Sequence, residues 1–142
     1  MASNSAPRPV LEELDRAACM RLIGDGGIGR IAFDDGEGPT VIPVNYAVDG
    51  DAVIFRTSVS GRLNRSLLTS VVGGEVRAAF EVDRFDEPTR EGWSVLVRGG
   101  AHPLSDEEKA TAAQVRPWPG GEREAWFRLA AQEVSGRRLH RP

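Results

Sequence analysis

A chain of 142 residues, with 18 Lys and Arg against 21 Asp and Glu and a formal net charge of -3, has room for one domain with a real core and little for a second. Its charge balance offers no general attraction for nucleic-acid phosphate, and its lone cysteine, Cys19, excludes an internal disulfide and a cysteine-based zinc site. Residues 1–9 are polar and proline-containing, with no apolar run of the kind a signal peptide or membrane span needs. The expectation is a cytoplasmic protein with a flexible tail over 1–9, a single domain over 10–142, and neither nucleic acid nor membrane as a partner.

In chain order, Asp15 stands where a helix cap belongs, and Ala18, Cys19, Leu22 and Ile23 follow at helical spacing. The glycine-rich stretch 24–27 ends that helix. Three strands are predicted over 28–33, 40–48 and 52–57, rich in β-branched and aromatic residues. Between the last two, Asp49-Gly50 marks a tight hairpin, because this pair tolerates the positive φ such a turn requires. Residues 62–70 then read as a helix with Leu63, Leu67 and Leu68 on one face, stopped by Gly73-Gly74. Longer strands are predicted over 75–83 and 93–100, joined by a polar connection over 84–92 that contains Pro88. Ser105-Asp106-Glu107-Glu108 has the spacing of a capping box, which starts a helix running to about 115, before Pro117 and Pro119. The apolar stretches 126–129 and 134–139 supply one or two closing strands. Strands in runs with only three short helices argue for an antiparallel barrel, since a parallel sheet would alternate strand and helix throughout.

Most of the chemistry-bearing motifs fall away on inspection. Gly24-Asp25-Gly26-Gly27-Ile28-Gly29 matches the dinucleotide fingerprint G-x-G-x-x-G, yet it follows a helix and enters a strand, the reverse of what pyrophosphate binding needs. His102 and His140 are far apart and neither has a second histidine at ligand spacing, so no metal site is expected. Cys19 falls on the apolar face of the first helix, where a thiol packs. The acid pairs Asp34-Asp35 and Glu107-Glu108 stand where turns and helix starts favour negative charge.

One constellation is informative, the run Phe55-Arg56-Thr57-Ser58-Val59-Ser60-Gly61-Arg62-Leu63-Asn64-Arg65. A strand ends, hydroxyls and a glycine follow, and a helix opens with its unpaired N–H groups and positive dipole end. Arg56 and Arg62 could add charge-assisted hydrogen bonds, and Thr57, Ser58 and Ser60 could add directional donors, a combination suited to a phosphate. Local physics fits equally well an ordinary loop in which Ser60 caps the helix and the arginines are solvated.

Motif order separates the two. Gly29-Arg30-Ile31-Ala32-Phe33, Pro43-Val44-Asn45-Tyr46, Ile54-Phe55-Arg56-Thr57, Ser60-Gly61-Arg62-Leu63, Phe80-Glu81-Val82-Asp83, Gly92-Trp93-Ser94-Val95 and Arg116-Pro117-Trp118 succeed one another across residues 11–139. In this the chain resembles the actinobacterial branch of the pyridoxamine 5'-phosphate oxidase-like flavoproteins, within the FMN-binding split-barrel superfamily. The resemblance implies a mainly β fold, a six-stranded antiparallel split β-barrel with three short helices, and a homodimer with one FMN in each half of the subunit interface. It also implies that Pro43, Val44 and Asn45 lie along the isoalloxazine, that Phe55, Arg56 and Thr57 continue that wall, and that Ser60, Gly61 and Arg62 take the phosphate. Trp93, Ser94 and Trp118 would approach from the partner subunit. Without the family, Trp93, Trp118 and Trp126 read as core or interface aromatics.

The resemblance therefore implies an FMN-dependent oxidoreductase passing hydride between a reduced donor and a small-molecule acceptor, a reaction in which the protein mainly orients both and tunes the ring. No catalytic side chain is singled out. The alternatives it allows are a cofactor-binding or carrier protein without turnover, holding flavin, the deazaflavin F420 or haem, and an F420-dependent reductase, for whose acidic tail Arg65 and Arg77 are candidate partners. Pyridoxamine phosphate itself is a poor substrate candidate. The oxidase places a tryptophan before its C-terminal Arg-Leu, and here Arg137-Arg138-Leu139 follows Val134, Ser135 and Gly136.

Overall fold

A computed structural model describes residues 7–58, 61–69, 74–111 and 124–142. The first helix, α1 (Arg16–Ile23), starts where Asp15 accepts a hydrogen bond from the Ala18 N–H at 2.8 Å and ends at Gly24. Strands β2 (Gly27–Asp34), β3 (Pro39–Asp49) and β4 (Ala52–Ser58) form a meander with the expected Asp49-Gly50 turn, Gly50 taking a φ of 61°. After α2 (Arg62–Thr69) come β5 (Val76–Asp86) and β6 (Glu91–Pro103), then α3 (Asp106–Thr111), β7 (Glu124–Ala130) and β8 (Glu133–His140). The Ser105 capping box forms as expected, with reciprocal 3.1 Å hydrogen bonds to Glu108. The part of that predicted helix beyond Thr111 lies outside the described residues.

Two elements depart from the sequence reading. Val10–Leu14 is a strand, β1, paired along β8 at the edge of the sheet. It carries no apolar alternation, because its side chains are exposed or only half-buried, and that alternation is the signal by which a strand is recognised. The connection predicted over 84–92 is instead a continuation of β5 and β6, which pair as far as Asp86 and Glu91. There the ribbon leaves the barrel and meets solvent on both faces, so polar residues suit it. The turn closes with the Arg90 N–H donating to the Asp86 carbonyl at 2.8 Å, and Arg90 itself takes a φ of 58°.

Among the described residues the strands run β1-β8-β6-β5-β2-β3-β4-β7, all antiparallel, and β6 also pairs with β7. That last pairing closes β2 to β7 into a six-stranded barrel, leaving β1 and β8 as an extension outside it. The split lies in β6. Its residues Gly92 to Arg98 pair with β8, whereas Ala101 to Pro103 pair with β7. Gly99 marks the exchange of partners, since a Cβ there would overlap the Ala130 carbonyl oxygen. So 134–139 does not close the barrel; 126–129 does.

The barrel interior is filled by Ile31, Val53, Phe55, Phe80, Val97, Phe127 and Leu129, none of which reaches solvent. Phe55 stacks on Phe127 at 5.5 Å between ring centroids, and Tyr46 meets Phe80 edge-on at 4.9 Å. The Tyr46 hydroxyl donates to the Ile23 carbonyl at 2.9 Å, which ties the end of α1 to the barrel, and burial pushes its pKa up to about 12. Cys19 is buried where α1 crosses β8, close enough that a Cβ at Gly136 would strike its sulfur; burial first, then Asp15, raises its thiol pKa. No described helix is long and apolar enough to cross a membrane.

Candidate functional site

Residues opposite each other on antiparallel strands share a face, so register decides which predicted site residues meet. Val44 and Phe55 point into the core and can offer a ligand only backbone groups. Pro43 and Asn45 point outward. Asn45 stands opposite Arg56, and Arg56 opposite Trp126, which lays one row across β3, β4 and β7 on the outer surface of the barrel. The Arg56 guanidinium sits over the Trp126 ring, 4.4 Å from its centroid, a cation–π contact that holds the two together. Trp126 was legible in the sequence only as an aromatic. Its place beside Arg56 depends on β7 pairing with β4, a contact between segments 70 residues apart by number.

The strand carrying Arg56 ends at Ser58, whose carbonyl accepts from the Gly61 N–H at 3.0 Å; the Gly61 carbonyl in turn accepts from the Arg65 N–H at 3.2 Å, in the first turn of α2. A Cβ at Gly61 would lie 3.0 Å from the Ser58 oxygen and 3.7 Å from the Thr57 hydroxyl, so the backbone here is drawn tight. Beside this turn a cavity of about 370 Å³ is lined by Asp35, Glu37, Arg62, Arg65 and Ser66. Arg62 Nη1 donates to Asp35 Oδ2 at 2.8 Å; the same carboxylate accepts from the Thr40 hydroxyl and the Glu37 N–H, each at 2.8 Å. Arg62, followed by those two donors, holds the Asp35 carboxyl down at about 2. Two guanidiniums and a hydroxyl around a cavity at a helix start fit a phosphate group, with Asp35 already matched to Arg62. Sequence reasoning missed Asp35 and Glu37 as lining residues. Asp34 does serve its turn, accepting from Gly36 N–H, but the partner of Asp35 is 27 residues away.

Ser60 and Trp118 lie outside the described residues. Trp93 and Ser94, being consecutive on β6, face opposite ways. Trp93 packs against the core of its own barrel. Ser94 opens onto a second cavity of about 330 Å³, bounded by Leu14 of β1 and by Ser135 and Arg137 of β8.

Between the two cavities the outer face of the barrel is partly apolar. Val41, Ala32, Ala79 and Arg98 form one row, and Pro43, Arg30, Glu81 and Leu96 the next. Val41 is 63% exposed. Glu81, flanked by Arg30 Nη1 at 3.9 Å, has its pKa pushed from 4.5 up to about 7, by burial first and by Asp83 second. Because the folded value exceeds the unfolded one, the group's contribution to stability is present in full below about 4.5 and is lost as pH rises through about 7. The urea midpoint of the wild type should therefore fall between pH 5 and pH 8 more than that of Glu81→Gln; equal slopes would show that Glu81 titrates normally.

A family model described as pyridoxamine 5'-phosphate oxidase matches residues 15–138. The uncharacterized protein Rv0080 of Mycobacterium tuberculosis is 34% identical over 140 residues, covering 97% of this chain and 91% of that protein. Among solved structures, the FAD binding protein from Mycobacterium smegmatis is 28% identical with a TM-score of 0.70, over 92% of this chain and 98% of that one. An FAD-binding protein from Mesorhizobium loti, at 21% identity and a TM-score of 0.73 over 92% and 98% of the two chains, shares the fold. A split barrel closed by β7, the ordered motifs along it and a family match over residues 15–138 agree: the chain belongs to the pyridoxamine 5'-phosphate oxidase-like family.

Proposed function

We propose that this protein is an FMN-binding oxidoreductase that works as a homodimer. The observation that carries the reading is that β4, which sets Arg56 opposite Asn45 and Trp126, ends at Ser58, and three residues on Gly61 leads into α2, where Arg62 and Arg65 line a cavity. An aromatic and cationic surface suits a fused ring system, an arginine-lined cavity suits a phosphate, and the two follow one another along the chain. Gly61, Arg62 and Ser60 would hold the phosphate, and the backbone of Pro43, Val44 and Asn45 would run along the edge of the ring. The bound flavin would supply hydride transfer, with donor and acceptor left to be oriented by the chain. One subunit covers only one side of such a ring. The outer face where Val41, Pro43 and Leu96 stand beside Arg30 and Glu81 is suited to a second copy, which would bring Ser94 and Trp118 towards the ring's other side, while Trp93 stays with its own core.

FAD is a second reading, favoured by the Mycobacterium smegmatis FAD binding protein at 28% identity. Titrating apo-protein with FMN, FAD and F420 while following flavin fluorescence separates the cofactors, and tightest binding of FMN is expected. Preference for F420 would overturn the assignment. Adding a reduced nicotinamide under anaerobic conditions then distinguishes an oxidoreductase, whose flavin absorbance bleaches, from a carrier, whose absorbance persists.

A further inference from the structure

The acid in the phosphate cavity calls for an explanation, since a carboxylate beside an expected phosphate should repel it. Asp35 is the more fixed member of its ion pair. Its side chain is 6% exposed, whereas that of Arg62 is 54% exposed. It is also held from three directions: by the Glu37 N–H on Oδ1, and by the Thr40 hydroxyl and Arg62 on Oδ2. The first two contacts belong to the short β2–β3 connection and the start of β3, so Asp35 is anchored whether or not Arg62 is present. A guanidinium carries five N–H donors in a planar fork, and Asp35 takes one nitrogen, leaving the others to a ligand.

We infer that Asp35 is a positioning residue for the phosphate arm of the site, an anchored acid that holds the Arg62 fork toward the cavity so that little ordering remains when a phosphate binds. This rests on the flavin phosphate reading above. Two effects of opposite sign compete. Repulsion between Asp35 and a phosphate acts through a site where Arg62 is more than half exposed, and water screens it. The charge of Asp35 is further offset by its three donors. Ordering a long, solvent-facing arginine is not screened, and it is the larger effect because the side chain would otherwise sample many rotamers. Glu37 and Arg65 complete the charged lining and roughly cancel one another.

The test uses the full chain, with FMN and riboflavin as probes. Riboflavin shares the ring and lacks the phosphate. Asp35→Asn should weaken FMN about five- to tenfold, less than the loss of Arg62 itself because the guanidinium is kept and only its ordering is lost, and leave riboflavin affinity unchanged. In an Arg62→Ala background the same substitution should no longer weaken FMN but tighten it slightly, because no fork is left to position and the unpaired acid beside the phosphate is neutralised. Thr40→Val, which keeps the acid and removes one of its anchors, should weaken FMN in the same direction and by less. Tighter or unchanged FMN binding in Asp35→Asn, with Arg62→Ala still weakening it, overturns the positioning role and leaves the cradle standing. Unchanged binding in Arg62→Ala as well removes the cradle, and Asp35's role with it. Equal weakening of riboflavin and FMN would mean that Asp35 only supports the fold, which also overturns the inference.

Discussion

Replacing Arg62 by alanine should weaken FMN binding by about 1.5–3 kcal/mol, the range of a hydrogen bond to a charged group, which is roughly 10- to 150-fold in dissociation constant. The upper part of that range is expected. Removing the guanidinium also leaves Asp35 as an acid beside the phosphate with its nearest cation gone. Arg62→Lys should fall between, since an ammonium keeps the charge and loses the fork that serves Asp35 and a phosphate together. Folding should change little, because Arg62 is more than half exposed and Asp35 keeps its Glu37 and Thr40 donors. Isothermal titration of apo-protein with FMN, beside a thermal melt of the same sample, separates the two effects. Unaltered affinity would remove Arg62 from the site.

The largest stability effect is expected at Phe127. Its ring is fully buried, stacked on Phe55, and carried by β7, the strand that closes the barrel by pairing with both β4 and β6. Phe127→Ala should cost about 3–5 kcal/mol, the transfer of a buried aromatic plus the cavity left behind. The consequence should extend to the site. Across the sheet Phe55 and Phe127 are direct partners, and the next pair along the same strands is Arg56 and Trp126. Phe127→Leu, which refills most of the volume, should recover much of the stability. A urea midpoint unchanged in Phe127→Ala would contradict the closure of the barrel by β7.

The fold was largely legible because its local signals agree. Asp15, the Asp49-Gly50 turn and the Ser105 box each act within four residues, and each forms where expected. What was hidden depended on partners distant in sequence. β1 has no apolar face to announce it, and it exists because β8 offers an edge to pair with. The outer ends of β5 and β6 read as a loop because neither face there is buried. Which of the last two strands closes the barrel turned on Gly99, whose close approach to Ala130 no sequence pattern reports.

The candidate site divides the same way. Alternation along β3 and β4 is readable, so Asn45 and Arg56 on one face and Val44 and Phe55 on the other follow from the period of two. Their neighbours do not. Trp126 joins Arg56 through a strand pairing, and Asp35 joins Arg62 across the space between a hairpin connection and a helix. Asp35 had a sufficient local role as a turn acid, and that role concealed its second one.

In the proposed flavin complex the arginine-lined cavity at the start of α2 receives the phosphate. Native mass spectrometry of the purified full chain, after saturation with FMN and removal of the excess, tests it most directly. The expected species is a dimer carrying two FMN molecules, with that FMN lost at lower collision energy in Arg62→Ala. A chain that retains no FMN, or that retains it equally well in Arg62→Ala, would contradict it.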